Sequence, residues 1–452
     1  MTTHHQTPDE LSEFAELLRH EEEFPVGREP VDPERRRRRR RRGLLITAIV
    51  LAVILAASGG YVGWALSAPL SAPVLSSQTP AAPIPFAATI AVPIEGISAV
   101  SVAGADEYLG ADASGVWMSS GTDETRAIAS ISKLITALVV LDARPLAPGE
   151  PGPTITFDKA DHDLYDEYYV LGATIAAMPT GSSMSQYDAL ATMLVPSASN
   201  YAEAVASWAF GSQGAFLSAA RAWLNAHGLT STTIVEPTGI SARNTSTLGD
   251  LLALGKLAAA HPVLAQILGS PSVSVPGLGV MSNTNTLLGT EGVTGLKTGN
   301  LGEGTYSLLY TSSLDVGLAE PLSVTGVVLG GSTRQSVNVS VAALLSSIRQ
   351  GFRTVPLAEP GQVVGTYSTP WGSSARLVVS DHASVFTWSD TPITVTMDTT
   401  APAAYEDGQV AGTLTWSAGP DAAASDLEIE GSIKPPTAWW RLTHPAELGA
   451  PE

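Results

Sequence analysis

Ala129-Ser-Ile-Ser-Lys-Leu-Ile-Thr-Ala-Leu-Val-Val-Leu141 places Ser130 and Lys133 three residues apart at the head of an apolar run. On a helix, residues i and i+3 share a face, so Lys133 Nζ can lie against Ser130 Oγ. A serine hydroxyl is a poor nucleophile at its free pKa, and a neutral amine beside it can accept its proton. The helix N-terminus favours a developing oxyanion nearby. Ser-x-x-Lys also arises by chance, as an N-capping serine next to a solvated lysine.

Two further stretches extend the pattern. Met193-Leu-Val-Pro-Ser-Ala-Ser-Asn-Tyr-Ala-Glu-Ala204 puts Ser197 in a turn between two helical stretches. A hydroxyl there can relay a proton to a leaving group; helix capping by Ser199 or Asn200 is the plainer alternative. In Gly292-Val-Thr-Gly-Leu-Lys-Thr-Gly-Asn300 a strand-like stretch ends in Lys297-Thr298-Gly299. The lysine can hold a carboxylate, the threonine can hydrogen-bond it, and the glycine lets a substrate approach the backbone. An ordinary glycine-rich hairpin has the same composition.

The three stretches follow one another with gaps of 67 and 100 residues. This order is the signature set of penicillin-binding proteins and serine β-lactamases. The flanks Ile128–Leu138, Thr233-Ile-Val-Glu-Pro-Thr-Gly-Ile-Ser241, Asn244-Thr-Ser-Thr247 with Asp250, and Asn283-Thr-Asn-Thr-Leu-Leu-Gly289 closely resemble those of serine D-alanyl-D-alanine carboxypeptidases. These are the low-molecular-mass penicillin-binding proteins, SxxK acyl transferases. The resemblance covers residues 88–353 and, more loosely, the C-terminal part.

The resemblance implies an α/β (α+β) fold. A five-stranded antiparallel sheet is flanked by helices, a helical subdomain holds the second motif, and a small all-β domain follows. It further implies that Ser130 is acylated, that Lys133 is its base, and that Ser197 shuttles a proton to the departing amine. Lys297 and Thr298 would grip the substrate's terminal carboxylate. Gly299 lies in the same motif, and the backbone N–H groups of Ser130 and Asn300 would form the oxyanion hole. Burial and the charge of Lys297 would both lower the pKa of Lys133. The implied substrate is the peptidoglycan stem pentapeptide, with β-lactams as inhibitors and no cofactor or metal. The chain departs from the family at Ser197-Ala-Ser199-Asn200, where Ser-x-Asn is usual. Either Ser199 replaces the asparagine or the turn shifts so that Asn200 fills its place.

Composition narrows the field. The chain has 452 residues, no cysteine and a net charge of −19. Thiolate chemistry and Cys-ligated metals are thereby excluded. Residues 1–42 carry ten acids and ten arginines, so the whole imbalance falls after them and argues against a nucleic-acid partner. His162, His227, His261, His382 and His444 are scattered with no i, i+4 pair, and Asp161-His-Asp163 reads as a solvated loop.

Arg35 to Arg42 is an unbroken arginine run, and no charge appears between Arg42 and Glu95. Residues 44–66 would span roughly 35 Å as a helix, enough for a bilayer core. Tyr61 and Trp64 fall where interfacial aromatics sit, and the basic run predicts a single-pass type II membrane protein with its catalytic part outside the cell. A cleaved signal peptide ending near Ala65-Leu-Ser67 is the competing interpretation. The expected domains are a cytoplasmic tail 1–43, a transmembrane helix 44–66, a Pro/Ser/Ala linker 67–87, a catalytic domain 88–353 and a β-rich domain 355–452. In the tail, Leu11, Phe14, Leu17 and Leu18 recur at helical spacing and suggest either a helix for a cytoplasmic partner or a loose acidic tail. The β-rich domain repeats Gly361-Gln-Val-Val-Gly-Thr366 as Gly408-Gln-Val-Ala-Gly-Thr413. It reads as two related halves with nothing catalytic.

Two other functions compete with a carboxypeptidase. A class-A β-lactamase needs a carboxylate to activate its deacylating water, typically in Glu-x-x-x-Asn. Here Glu236-Pro237 is followed by Ile240 at that spacing. A non-catalytic penicillin-binding scaffold would use the tail for a partner and tolerate the altered second motif.

Overall fold

A computed structural model describes residues 33–449, so the amphipathic stretch of the tail lies outside the described residues. The ten helices that matter here are α1 (Pro33–Ser67), α2 (Ser132–Ala143), α3 (Lys159–Val170), α4 (Gln186–Leu194), α5 (Ser199–Phe210), α6 (Gln213–Ala226), α7 (Leu248–Ala260), α8 (Pro262–Leu268), α9 (Arg334–Gly351) and α10 (Ala438–Thr443). The main sheet is built from β1 (Ile97–Ala103), β2 (Met118–Ser120), β3 (Val293–Gly299), β4 (Tyr306–Leu314) and β5 (Leu322–Gly331), in the order β3-β4-β5-β1-β2. Each adjacent pair is antiparallel. The early strand β1 therefore sits beside the late strand β5.

Side-chain alternation explains why this sheet is covered on both faces. Ala99, Leu309 and Val327 belong to one core with α2, α4, α5, α7 and α8. Their neighbours Val100, Leu308 and Val328 belong to a second core with Val337, Val341, Leu344 and Ile348 of α9. Strands buried on both faces read as continuous apolar runs, which is the pattern of Leu322–Leu329.

Local sequence rules account for most boundaries. The apolar stretch 187–206 breaks into α4 and α5 because Pro196 cannot continue a helix and Ser197 adopts φ +77°. The Asp161-His-Asp163 stretch is helical rather than a loop. Asp158 and Asp161 form a reciprocal capping box that starts α3.

The described residues form two compact units. The larger comprises 76–366 and 375–432. Besides the main sheet it holds β6 (Phe352–Ala358), β7 (Val363–Ser368), β8 (Ser374–Val379), β9 (Ala383–Trp388), β10 (Ile393–Thr399), β11 (Val410–Ala418) and β12 (Asp421–Glu430). Five of them run β7-β8-β12-β11-β10 in a second sheet whose sixth strand, Val74–Ser77, lies beside β7. The internal repeat has equivalent hydrogen bonds in its two copies. Gly361 N donates to Val379 O as Gly408 N donates to Ile429 O, both at 2.8 Å. The two glycines have φ +81° and +78°, so both copies need a residue tolerant of left-handed backbone.

The smaller unit contains α1, with 367–374 and 433–449. Helix α1 starts at Pro33 and carries the arginine run on the same helix as the apolar stretch. Among the described residues it is the one unbroken helix long and apolar enough to cross a membrane. Its C-terminal end is closed by α10. Tyr61 Oη donates to Leu442 O at 2.7 Å, and Arg441 donates to Ala68 O at 2.8 Å. The Arg441 bond satisfies a carbonyl at the C-terminal end of α1, and the Tyr61 bond satisfies one in the last turn of α10.

Tyr310 of β4 lies directly across from Gly326 of β5, and a Cβ at Gly326 would overlap its ring. Gly326→Ala should therefore destabilise the protein by about 1–3 kcal/mol through overpacking. Thermal melting of the purified chain checks this; an unchanged midpoint would show that the ring yields freely.

Candidate active site

Ser130 sits in a single 3-10 turn, Ala129–Ile131, that leads into α2. Ala129 has φ +49°, unusual for a residue with a side chain, and costs of order 1–3 kcal/mol. Two glycines admit this strained corner. A Cβ on Gly239 would overlap Ala129 O, and a Cβ on Gly299 would stand 2.9 Å from Ile128 O and 3.0 Å from Ala129 Cβ. The corner is also tied from behind. Ser132 Oγ donates to Ala129 O at 2.8 Å, and Asn244 Nδ2 donates to Ser132 Oγ at 3.0 Å.

Helix α2 is buried almost throughout, because Leu134 to Leu141 supply apolar residues on every side. Lys133 is buried with them at 0% exposure. Its Nζ lies 3.0 Å from Ser130 Oγ, 3.2 Å from Ser199 Oγ and 2.7 Å from Thr238 O. Burial pulls its pKa down to about 7, against the Glu236 carboxylate, which favours the ammonium. Lys297 is itself buried, and burial, the charge of Lys133 and that of Arg334 hold it well below the ordinary lysine range. The repulsion between the two lysines thus bears on Lys297.

The second motif is split by its own turn. Ser197 is 6% exposed and faces the same cleft as Ser130. Ser199 begins α5, its N–H donates to Thr174 O at 2.7 Å, and its hydroxyl meets Lys133. Asn200 points elsewhere. Its Oδ1 accepts from Ala176 N at 3.1 Å and its Nδ2 donates to Ala176 O at 2.8 Å. Asn200 is fully buried and does not line the cleft. A helix beginning at Ser199 turns its second residue away, and the amide is spent tethering 173–178.

Strand β3 is the outer strand of its sheet, so its free edge faces the cleft. Lys297 Nζ lies 3.3 Å from Thr298 O, and Thr298 Oγ1 donates to Thr284 Oγ1 at 2.7 Å. Asn300 Oδ1 accepts from Gly302 N at 2.8 Å and Thr305 Oγ1 at 3.1 Å, which shapes the turn leaving β3. Ser130, Ser197, Ser199, Thr298, Gly299 and Asn300 all line one cleft of about 620 Å³.

Arg334 lines it too, and the motif analysis missed it. It is the first residue of α9, after an N-cap at Thr333 whose capping box closes with Ser336. A cation at a helix N-terminus opposes the macrodipole. That local misfit was the one signal in the sequence that marked it.

The profile of a peptidase family described as D-alanyl-D-alanine carboxypeptidase matches residues 103–333. The D-alanyl-D-alanine endopeptidase of Pseudomonas aeruginosa is 32% identical over 148 residues, covering 33% of this chain and 44% of that protein. The endopeptidase of Escherichia coli K12 is 35% identical over 150 residues, covering 33% and 45%. The chain thus spans less than half the length of these two relatives. The carboxypeptidase DacF of Bacillus subtilis is 24% identical over 342 residues, covering 71% of this chain and 85% of DacF. In fold, the chain resembles penicillin binding protein 5 of Haemophilus influenzae, with a TM-score of 0.50, 18% identity and coverage of 77% and 98%. The carboxypeptidase DacD of Francisella tularensis gives a TM-score of 0.50 at 16% identity, covering 79% and 97%. With the profile matched across just over half of its residues, the chain belongs to the D-alanyl-D-alanine carboxypeptidase family.

Proposed function

We propose that the protein is a serine DD-carboxypeptidase that removes the terminal D-alanine from peptidoglycan stem pentapeptides through an acyl-enzyme on Ser130. One observation carries this reading: the buried amine of Lys133, with a pKa of about 7, lies 3.0 Å from Ser130 Oγ. A base poised near neutrality is what proton abstraction from a hydroxyl requires.

In the proposed reaction neutral Lys133 takes the Ser130 proton as Oγ attacks the carbonyl of the penultimate D-alanine. The oxyanion is held by the backbone N–H groups of Ser130 and Asn300. Ser197 passes a proton to the amine of the terminal D-alanine as the peptide bond breaks. Water then hydrolyses the ester and regenerates Ser130. Lys297, Thr298 and Arg334 hold the terminal carboxylate. Its negative charge would raise the depressed pKa of Lys297 and so recharge that lysine on binding. β-Lactams would acylate the same serine.

Incubation with a pentapeptide ending in D-Ala-D-Ala should release D-alanine, and a penicillin adduct should appear on the peptide containing Ser130. The rate of acylation should rise as pH increases through about 7, because the Lys133 ammonium cannot accept a proton. No D-alanine release, or an adduct elsewhere, would overturn the assignment. Two relatives are named endopeptidases, so a cross-linked muropeptide is the comparison substrate.

For the second motif we favour replacement of the usual asparagine by Ser199. Ser199→Ala should slow penicillin acylation by about 10²-fold, as loss of a positioned polar group in a closed site typically does. Asn200→Ala should leave acylation close to wild type. It should lower stability by about 1–3 kcal/mol, because the Ala176 backbone loses its partners. A large acylation defect in a folded Asn200→Ala protein would reverse the assignment.

Residues 44–66 would retain the protein in the cell membrane as a type II anchor, with the arginines inside and the catalytic part outside. Protease added to intact cells should remove the catalytic part and spare the tail. A mature N-terminus near residue 68 would show instead that the segment is cleaved.

A further inference from the structure

Glu236 takes no part in the chemistry above, yet its carboxylate gathers five hydrogen bonds from one turn. Thr238 N and Thr238 Oγ1 donate to Oε2, both at 2.7 Å. Gly239 N at 2.8 Å, Ser241 N at 3.2 Å and Asn244 Nδ2 at 3.0 Å donate to Oε1. Residues 236–241 therefore wrap around a carboxylate as backbone nests wrap around bound anions. The same turn reaches both reacting groups. The buried Thr238 carbonyl accepts from Lys133 Nζ at 2.7 Å, a shorter contact than either hydroxyl makes. The next residue, Gly239, packs against the backbone of Ala129.

We propose that Glu236 is a positioning residue for acylation: it holds the 236–241 turn so that the Thr238 carbonyl fixes the Lys133 amine, and its negative charge favours the ammonium form of that amine. The inference rests on Lys133 acting as the base. The charged and titratable groups around this amine come from several elements. They are Glu236 in the turn, Lys297 on β3 with Arg334 of α9 beside it, and Glu203 of α5 with Tyr168 of α3, which lie toward Glu236. Tyr168 Oη donates to Glu203 Oε2 at 2.5 Å, and Tyr168 also reaches the Thr238 side chain, so this pair adjoins the same turn. Glu236 is the neighbouring charge that bears on Lys133, and it favours the ammonium.

Glu236→Gln keeps the shape, removes the charge and turns an amide NH₂ toward groups that, the Thr238 hydroxyl apart, can only donate. Glu236→Asp keeps the charge but draws the carboxylate back by one methylene. The chain has only five lysines, so NMR of 13Cε-labelled lysine in the full chain in detergent micelles can follow Lys133 directly. The wild-type midpoint should lie at about 7, and in Glu236→Gln it should move lower. The acidic limb of acylation by a fluorescent penicillin should move with it. The rate above that limb should fall about 10-fold to 10²-fold, since a displaced base is costly even at 1 Å. In Glu236→Asp the midpoint should stay near wild type while the rate falls.

A midpoint unmoved in Glu236→Gln overturns the inference, whatever its rate. Should that variant not fold, a wild-type acylation rate in Glu236→Asp overturns it equally. Wild-type protein that takes no penicillin on Ser130 instead sinks the carboxypeptidase reading, and the two NMR midpoints still decide the role of Glu236.

Discussion

An amine buried to 0% exposure is the constraint around which the cleft is arranged. A charged ammonium in such a place carries a desolvation cost of several kcal/mol unless it is paired. Lys133 has no carboxylate in hydrogen-bond contact; its partners are a carbonyl and two hydroxyls. Burial therefore lowers its pKa to about 7. A neutral amine has two protons to donate and one lone pair to offer. The Thr238 carbonyl can only accept, so one hydroxyl accepts the second proton and the other donates to the lone pair. The neighbours of Lys133 thus leave a serine hydroxyl hydrogen-bonded to a free base.

The rest of the site brings three distant pieces of chain to that amine, each with its own support. Ser130 is held on a strained corner that Gly239 and Gly299 leave room for. Ser199 is delivered by the start of α5, fixed through Thr174 O and braced by the Asn200–Ala176 pair beside it. Lys297 and Thr298 come at the free edge of the sheet, where β3 has a neighbour on one side only. Arg334 enters from α9 on the other face of the sheet. The Arg334 guanidinium then lines a cleft whose proposed substrate ends in a carboxylate, within a chain of net charge −19. Local charge, not overall charge, decides what this cleft attracts.

Much of the fold was legible in the residues. Helical patterns are local: the apolar run that follows Ser130 is the helix α2, and the apolar stretch 44–66 lies wholly within α1. The repeat at Gly361 and Gly408 pointed to equivalent turns, because a left-handed glycine imposes the same backbone wherever it recurs. Asp161 was misread because a capping box satisfies helix N–H groups with the same residue types that favour loops.

The sequence by itself determined which residues reach the cleft through motifs, since Ser130-x-x-Lys133 and Lys297-Thr298-Gly299 each lie within one turn or one strand. Three matters were decided only by tertiary structure. Ser199 rather than Asn200 meets Lys133, because the start of α5 and its tie to Thr174 set that helix's rotation. Arg334 joins the cleft because α9 packs across the sheet. Glu236 governs the turn beneath Lys133 because Asn244 and the Thr238 backbone close around it. In each case the deciding contact joins segments whose relative placement comes from packing, and no local pattern of residues encodes it.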